Sequence, residues 1–435
     1  MNILLSAYAC EPNQGSEPGV GWHWAIELAR LGHQVWVITR ANNQPSIEQQ
    51  LQSNRRDEED GELKKINPTF PIANLHFVYY DLPPWARWWK KAPGGIYLYY
   101  LLWQLGGYRL AQALKTQVNF DLVHHITFGV FRQPSFMAFL GIPFIFGPLG
   151  GGERTPYPLR QSFSLKGHIL DWLRDLSNWL VSIDPIMHSV YTRSSVILCK
   201  TKATLLSIPK QYHHKCQVNL EIGINPQPNL VNKSHDNDGK FRILYASRLI
   251  YWKGLHLGLK AFAQFHQEMP NSRLTVIGNG SDRDWFYSLA DKLKINHAID
   301  WIPWMAREDL QKYYGQYDIF LYPSLHDSSG NVILEALSQG LPVVCLDLGG
   351  PGVMVNESCG RVIATAGLSE TDAIKSLSEA IKDLALNHEL LSQLGDGAFV
   401  RSQEYRWDKV VGNLYATLPL SEIRQNYSSA ERLIL

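Results

Sequence analysis

Cysteine is scarce and unclustered in this chain. Its five cysteines, Cys10, Cys199, Cys216, Cys345 and Cys359, include no CxxC pair. That pattern suggests neither a zinc site nor a disulfide framework, and it fits a reducing cytoplasm. Net charge is nearly absent as well, with 41 basic against 40 acidic residues and a balance of +1. A nucleic-acid binder would show a basic excess, so no nucleic-acid partner is expected. No stretch reaches the roughly 18 uninterrupted apolar residues of a membrane span. The opening MNILLSAYAC lacks a basic leader and its apolar run is short, so it reads as a first strand and not a signal peptide. Short internal repeats and low-complexity tracts are missing too. What remains is a 435-residue chain, too long for one comfortable core, which suggests two or three domains.

The strand NILLSAY (2–8) is followed by the glycine-rich PNQGSEPGVGW, a helix from about Trp22 to Leu31, and a second strand, GHQVWVITR. Strand, glycine loop, helix, strand is the opening of a doubly wound parallel sheet. The theme recurs at 74–82, 120–128, 143–150 and 194–201, while RRDEEDGELKK (55–65) reads as a solvated excursion. A tract rich in Pro, Asn and Asp then marks an interdomain linker at 221–240. Beyond it, FRILYASR (241–248) restarts the alternation of strand and helix. The expected fold is α/β, with Rossmann-like domains at 1–220 and 241–405 facing each other across a cleft. Ligands in such sheets bind at the carboxyl ends of the strands.

The stretch HDSSGNVILEALSQG (326–340) sets Asp327 and Glu335 eight positions apart. Periodicity predicts a helix from Gly330 to Gln339, with Asp327 in the loop before it and Glu335 about two turns inside. The small residues Ser328, Ser329, Gly330 and Asn331 leave the first helical N–H groups uncovered. Such an end attracts anions. Arg248 ends a strand and Lys253 follows five residues later. An Arg fork and a Lys point charge could grip a polyanion, although two surface charges would look the same alone. Taken with the uncovered helix, a diphosphate site is the better reading. Gly278 and Gly280, in VIGNGSDR, form a further strand-end turn or close-approach loop. Asp236-Asn-Asp238 has a metal-site spacing but lies in the hydrophilic linker, so it reads as solvated loop and no metal is assigned.

R-x4-K after a strand, the GNG loop and a carboxylate-x7-Glu pair before LPVV resemble the C-terminal half of family 4 retaining glycosyltransferases, which have the GT-B fold. NILLSAYAC with its glycine loop, ELARLGHQV and FDLVHH resemble the N-terminal half, so the resemblance spans nearly the whole chain. RWDKVVGNLY (406–415) is similar to the family's closing Trp-containing helix, which implies that 406–435 crosses back toward the N-terminal domain. The resemblance implies that Asp327 touches hydroxyls of a donor sugar and that Glu335 binds ribose hydroxyls. Arg248 and Lys253 would hold the diphosphate of a nucleotide-sugar donor. The family's first carboxylate is usually Glu. Asp is one methylene shorter, which bears on reach and sugar preference. Retention in the family is thought to place leaving group and acceptor on one face of the sugar. Cations and N–H groups would then stabilise the departing phosphate without magnesium or another cofactor.

The N-terminal glycine loop, Gly15-Ser16 and then Gly19-Val20-Gly21 with Glu17 between them, is longer than the family's usual pair. Its implied role is donor binding from across the cleft. The family often has His-x-His where this chain has adjacent His124 and His125. His125 is favoured at the reaction centre and His124 beside the donor, against the alternative of hydrogen-bonded core residues. Glu153 and Arg154, in GPLGGGERTP, are candidates for acceptor contact. Trp, Tyr and basic residues crowd 83–109. The part from 85 to 103 reads equally as a peripheral membrane contact or as an aromatic sub-core or acceptor pocket wall. The expected activity is transfer of a hexose to an acceptor hydroxyl; the acceptor itself is not identified, and many acceptors of the family are lipid-linked or membrane-bound. The expected location is the cytoplasm or the inner face of its membrane. A nucleotide-sugar epimerase and a donor-binding regulator are the alternatives.

Overall fold

The computed structural model describes residues 1–59, 71–87, 95–225 and 239–420. It divides into two units. The first holds Met1–Gly152, Asn178–Ile222 and the chain from Trp407, and the second holds Glu153–Ser177 and Gly223–Arg406. The segment 153–177, expected in the N-terminal domain, therefore packs with the C-terminal one. Its polar side chains find their partners there, as described below. Most of the expected linker, with Asp236 and Asp238, lies outside the described residues, as do Trp88, Trp89, Lys90 and Lys91.

The first unit is built on seven parallel strands: β1 (Asn2–Ser6), β2 (Gln34–Arg40), β3 (Leu75–Tyr80), β4 (Leu122–His125), β5 (Phe144–Leu149), β6 (Val196–Cys199) and β7 (Cys216–Val218). Their order is β3-β2-β1-β4-β5-β6-β7, and every neighbouring pair is parallel. The central strands are apolar runs buried on both faces, as a sheet covered by helices on both sides requires. β7 was not expected. It is three residues long, two of them exposed, so it lacks an apolar run to announce it.

The first helix runs Ser16–Arg30, six residues ahead of the expected start. Gly19 and Gly21 are therefore inside it and not in a loop. A Cβ at Gly19 would lie 2.2 Å from the Gln14 carbonyl oxygen, and one at Gly21 would lie 2.1 Å from that of Ala9. These glycines let the helix press against the loop that follows β1. Helix Trp407–Thr417 packs on Ser16–Arg30, with the Trp407 and His23 rings stacked at 4.6 Å. In the aromatic stretch, Tyr99, Tyr100 and Trp103 are buried on helix Gly95–Lys115. Tyr100 and Trp103 each pack edge-on to Tyr8 at 5.0 Å.

The second unit has six parallel strands: β8 (Phe241–Ala246), β9 (Ser272–Ile277), β10 (Ile299–Ile302), β11 (Ile319–Tyr322), β12 (Val343–Leu346) and β13 (Gly360–Ile363). The order β10-β9-β8-β11-β12-β13 reverses direction between β8 and β11. A crevice outside the strand ends at such a reversal is where open α/β sheets bind ligands. In the first unit the same reversal falls between β1 and β4.

Candidate active site

The second unit's reversal point gathers the predicted donor residues. Arg248 follows β8, and Lys253 ends the short turn Tyr251–Lys253 that leads into helix Leu255–Glu268. Asp327 follows β11 and precedes helix Asn331–Ser338. That helix starts at Asn331, so Glu335 lies just over one turn inside it and not two. Its N-cap is Gly330, at φ 84°, and no side chain caps it. The small residues Ser328, Ser329 and Gly330 lead directly into that amino end. The Gly350 N–H donates to the Asp327 carbonyl at 2.8 Å and fixes the turn from behind.

Asp327 is not a bare acid. Its Oδ2 is in contact with the Lys253 ammonium and accepts from the Tyr322 hydroxyl at 2.6 Å. Lys253 Nζ also donates to Tyr322 Oη at 2.9 Å. Burial would push the Asp327 carboxyl up, but Lys253 and then Tyr322 outweigh it and hold the group below the ordinary carboxylate value. Burial lowers Lys253 from its usual value while Asp327 opposes that drop. We read the pair as ionised, because contact and a shared hydroxyl favour both charges. Arg248 is exposed, with its guanidinium 5.9 Å from the Trp252 ring centre. Gly278 and Gly280 serve this arm. A Cβ at Gly278 would fall 1.9 Å from the Ser247 carbonyl oxygen and one at Gly280 2.3 Å from that of Leu249, on either side of Arg248.

Glu335 is buried, and burial raises its pKa. Arg307, at 2.8 Å, opposes that rise, and the Tyr314 hydroxyl lies 3.4 Å from the other carboxyl oxygen. Glu153, a candidate for acceptor contact, accepts from the Ser328 hydroxyl at 2.6 Å and so buttresses the turn before helix Asn331–Ser338. Arg154 is half exposed, 3.9 Å from Asp175. A second layer braces the two loops. The Trp252 ring stacks on His326 at 4.7 Å, and His326 Nε2 lies 3.5 Å from Asp171. Tyr251 donates to that same carboxylate at 3.0 Å.

In the first unit the loop after β1 and the end of β4 are neighbours, since Ser6 pairs with His125. Gly15 is the N-cap of the first helix and Ser16 its first residue. Glu17, one residue on, accepts from the Phe128 N–H at 2.7 Å and ties that helix to the chain beyond β4. Both histidines are buried, and each ring nitrogen has a partner. His124 lies 2.8 Å from the Tyr415 hydroxyl and 2.8 Å from the Gly147 carbonyl, whereas His125 meets Tyr100 at 3.2 Å and Ser135 at 3.1 Å. Burial lowers His124 to about 4 and His125, with His124 as a lesser cause, to about 3. Both are neutral near pH 7.

Sequence reasoning missed Tyr322, Arg307, Asp171 and His326. Tyr322 at least carried a signal, standing at the carboxyl end of a strand just before the motif. Arg307 carried none.

Residues 226–400 match the family model for glycosyl transferases group 1, and that stretch contains Arg248, Lys253, Asp327 and Glu335. The match covers the second unit's strands from β8 to β13. An uncharacterized glycosyltransferase of Methanocaldococcus jannaschii is 31% identical over 139 residues, or 29% of this chain and 35% of that protein. The lipopolysaccharide core biosynthesis glycosyltransferase LpsE of Rhizobium meliloti is 26% identical over 154 residues, 35% of this chain and 42% of LpsE. The chain thus spans less than half the length of both curated relatives. Among solved structures, Anabaena HepE in complex with UDP and glucose aligns over 96% of this chain and 99% of its own, at 14% identity and a TM-score of 0.57. That likeness makes the group 1 segment part of a GT-B fold.

Proposed function

We propose that this protein is a metal-independent, retaining hexosyltransferase that takes its sugar from a nucleotide diphosphate and passes it to an acceptor hydroxyl. Its place is the building of polysaccharide, glycolipid or another glycoconjugate. The observation that supports this most is the meeting of Arg248, Lys253, Asp327 and a glycine-capped helix amino end at one reversal point, inside a segment that matches the group 1 model. The crystallised ligands of HepE, UDP and glucose, are the two parts of such a donor.

The roles follow from charge. Arg248 and the N–H groups at Ser328–Asn331 take the diphosphate, and Lys253 adds a third source of positive potential from below. Asp327, oriented by Lys253 and Tyr322, accepts from sugar hydroxyls. Glu335 accepts from ribose hydroxyls, with Arg307 opposing the rise in its pKa that burial causes. As the bond from sugar C1 to phosphate oxygen breaks, negative charge grows on the phosphate and these cations stabilise it. The acceptor oxygen bonds to C1 on the same face, and its proton passes to the departing phosphate oxygen. No step requires a metal.

A thermal-shift panel of nucleotide sugars followed by product analysis tests the reading. A donor that raises the melting temperature and yields a transferred or hydrolysed sugar supports it. A donor inverted at C2 would make the protein an epimerase, and binding without turnover would make it a regulator.

A further inference from the structure

Helix Leu165–Leu180 is turned inside out relative to an ordinary surface helix. Leu165, Ile169, Trp172, Leu173, Leu176 and Trp179 fall within about a third of its circumference. All six face solvent, with Leu165 78%, Trp172 61% and Trp179 57% exposed. The polar side is the one that packs. Asp171, 2% exposed, lies 3.5 Å from Arg160 and 3.5 Å from His326, and accepts from Tyr251 at 3.0 Å. Arg174 reaches the Glu153 carbonyl at 3.1 Å and its carboxylate at 3.9 Å. Rolling the helix to hide its apolar stripe would break every one of these contacts. Soluble helices bury the apolar stripe and expose the polar one, and a continuous exposed stripe marks an interaction site.

We propose that this helix seats the protein on a lipid bilayer, lying in the headgroup boundary with its apolar stripe toward the acyl chains. Trp172 and Trp179 share one margin of the stripe, and tryptophan favours that boundary. Lys166 and His168, both exposed, flank the stripe on its two sides, where headgroup phosphates would be. A second copy of the chain is the weaker occupant. A 16-residue helix is about 24 Å long and offers roughly 240 Å² at a width of about 10 Å, against about 800 Å² per partner in a standard interface. An interfacial helix needs only a depth of about 5–10 Å. Among the described residues no helix is long and apolar enough to cross a membrane, so the seat is on the surface. The 85–103 stretch offers less, because its Tyr99, Tyr100 and Trp103 are in the core. The inference does not depend on the sugar-transfer reading.

The test is sedimentation of the full chain with vesicles of equal parts phosphatidylcholine and phosphatidylglycerol. Wild type should pellet, and Trp172→Ser/Leu176→Ser/Trp179→Ser should bind at least about tenfold more weakly with an unchanged melting temperature. The single variant Ile169→Lys reads the same stripe with a smaller perturbation and should also weaken binding. Trp85→Ser should pellet like wild type. Equal pelleting of wild type and triple variant, or none by wild type, would overturn the proposal. So would a dimer that the triple variant abolishes in the absence of vesicle binding, since the occupant would then be a second copy.

Discussion

Replacing Lys253 by Met removes the ammonium, keeps most of the side-chain volume, and leaves the Asp327 carboxylate buried without its cation. Breaking a buried pair from one side costs about 3–5 kcal/mol. Asp327 keeps the Tyr322 hydroxyl at 2.6 Å, so the loss should sit at the low end, about 3 kcal/mol near neutral pH. The cost depends on pH with a definite sign. In wild type Asp327 is held below the ordinary carboxylate value. The pair therefore stabilises the fold above a pH of about 4 and loses that contribution as pH falls through the folded pKa. In Lys253→Met burial acts on the carboxyl without the opposing charge and raises its pKa. The variant's deficit should then shrink on acidification, as Asp327 takes up a proton. Urea unfolding of Lys253→Met, Asp327→Asn and the double variant, near neutral pH and at about pH 5, measures this. The double variant should recover at least about 2 kcal/mol relative to the sum of the singles. Additive singles, with the same deficit at both pH values, would refute the buried pair.

The other expectations concern ligands. Glu335→Ala should weaken the free nucleoside diphosphate while Asp327→Ala spares it, by titration calorimetry. Equal losses would end the division of labour between the two acids. Arg307→Ala should raise the Glu335 pKa further, so diphosphate binding in the variant should fade at a higher pH on acidification than in wild type. Identical pH profiles would remove Arg307 from the site. Turnover should survive excess EDTA, since Arg248, Lys253 and helix N–H groups are assigned the charge neutralisation. Loss with rescue by magnesium or manganese would contradict that assignment.

Much of this architecture was legible because apolar strand runs and glycine turns are local signals. The strands of the second unit and the motif from Asp327 to Glu335 are found where periodicity put them. The first helix start was misjudged because Gly19 and Gly21 resemble loop residues even when they are inside a helix. The partners of the acids were hidden for another. Tyr322 reaches Asp327 through strand geometry, Arg307 reaches Glu335 from a different helix, and Asp171 meets His326 from a segment assigned to the other domain. GPLGGGERTP reads as one strand-end glycine run. In the structure the chain changes units between Gly152 and Glu153. The apolar stripe of Leu165–Leu180 has an ordinary helical period, and only the contacts of Asp171 and Arg174 reveal which side packs.

The central claim is that the second unit's reversal point is a diphosphate site. Titration calorimetry of wild type and Arg248→Ala/Lys253→Ala with a nucleoside and with its diphosphate tests it most directly. Losing the Arg248 contact, at about 1.5–3 kcal/mol, together with the potential of Lys253 implies a loss of at least about tenfold in diphosphate affinity for the double variant. Nucleoside affinity should be unchanged. Equal diphosphate affinity in the two proteins would contradict the claim.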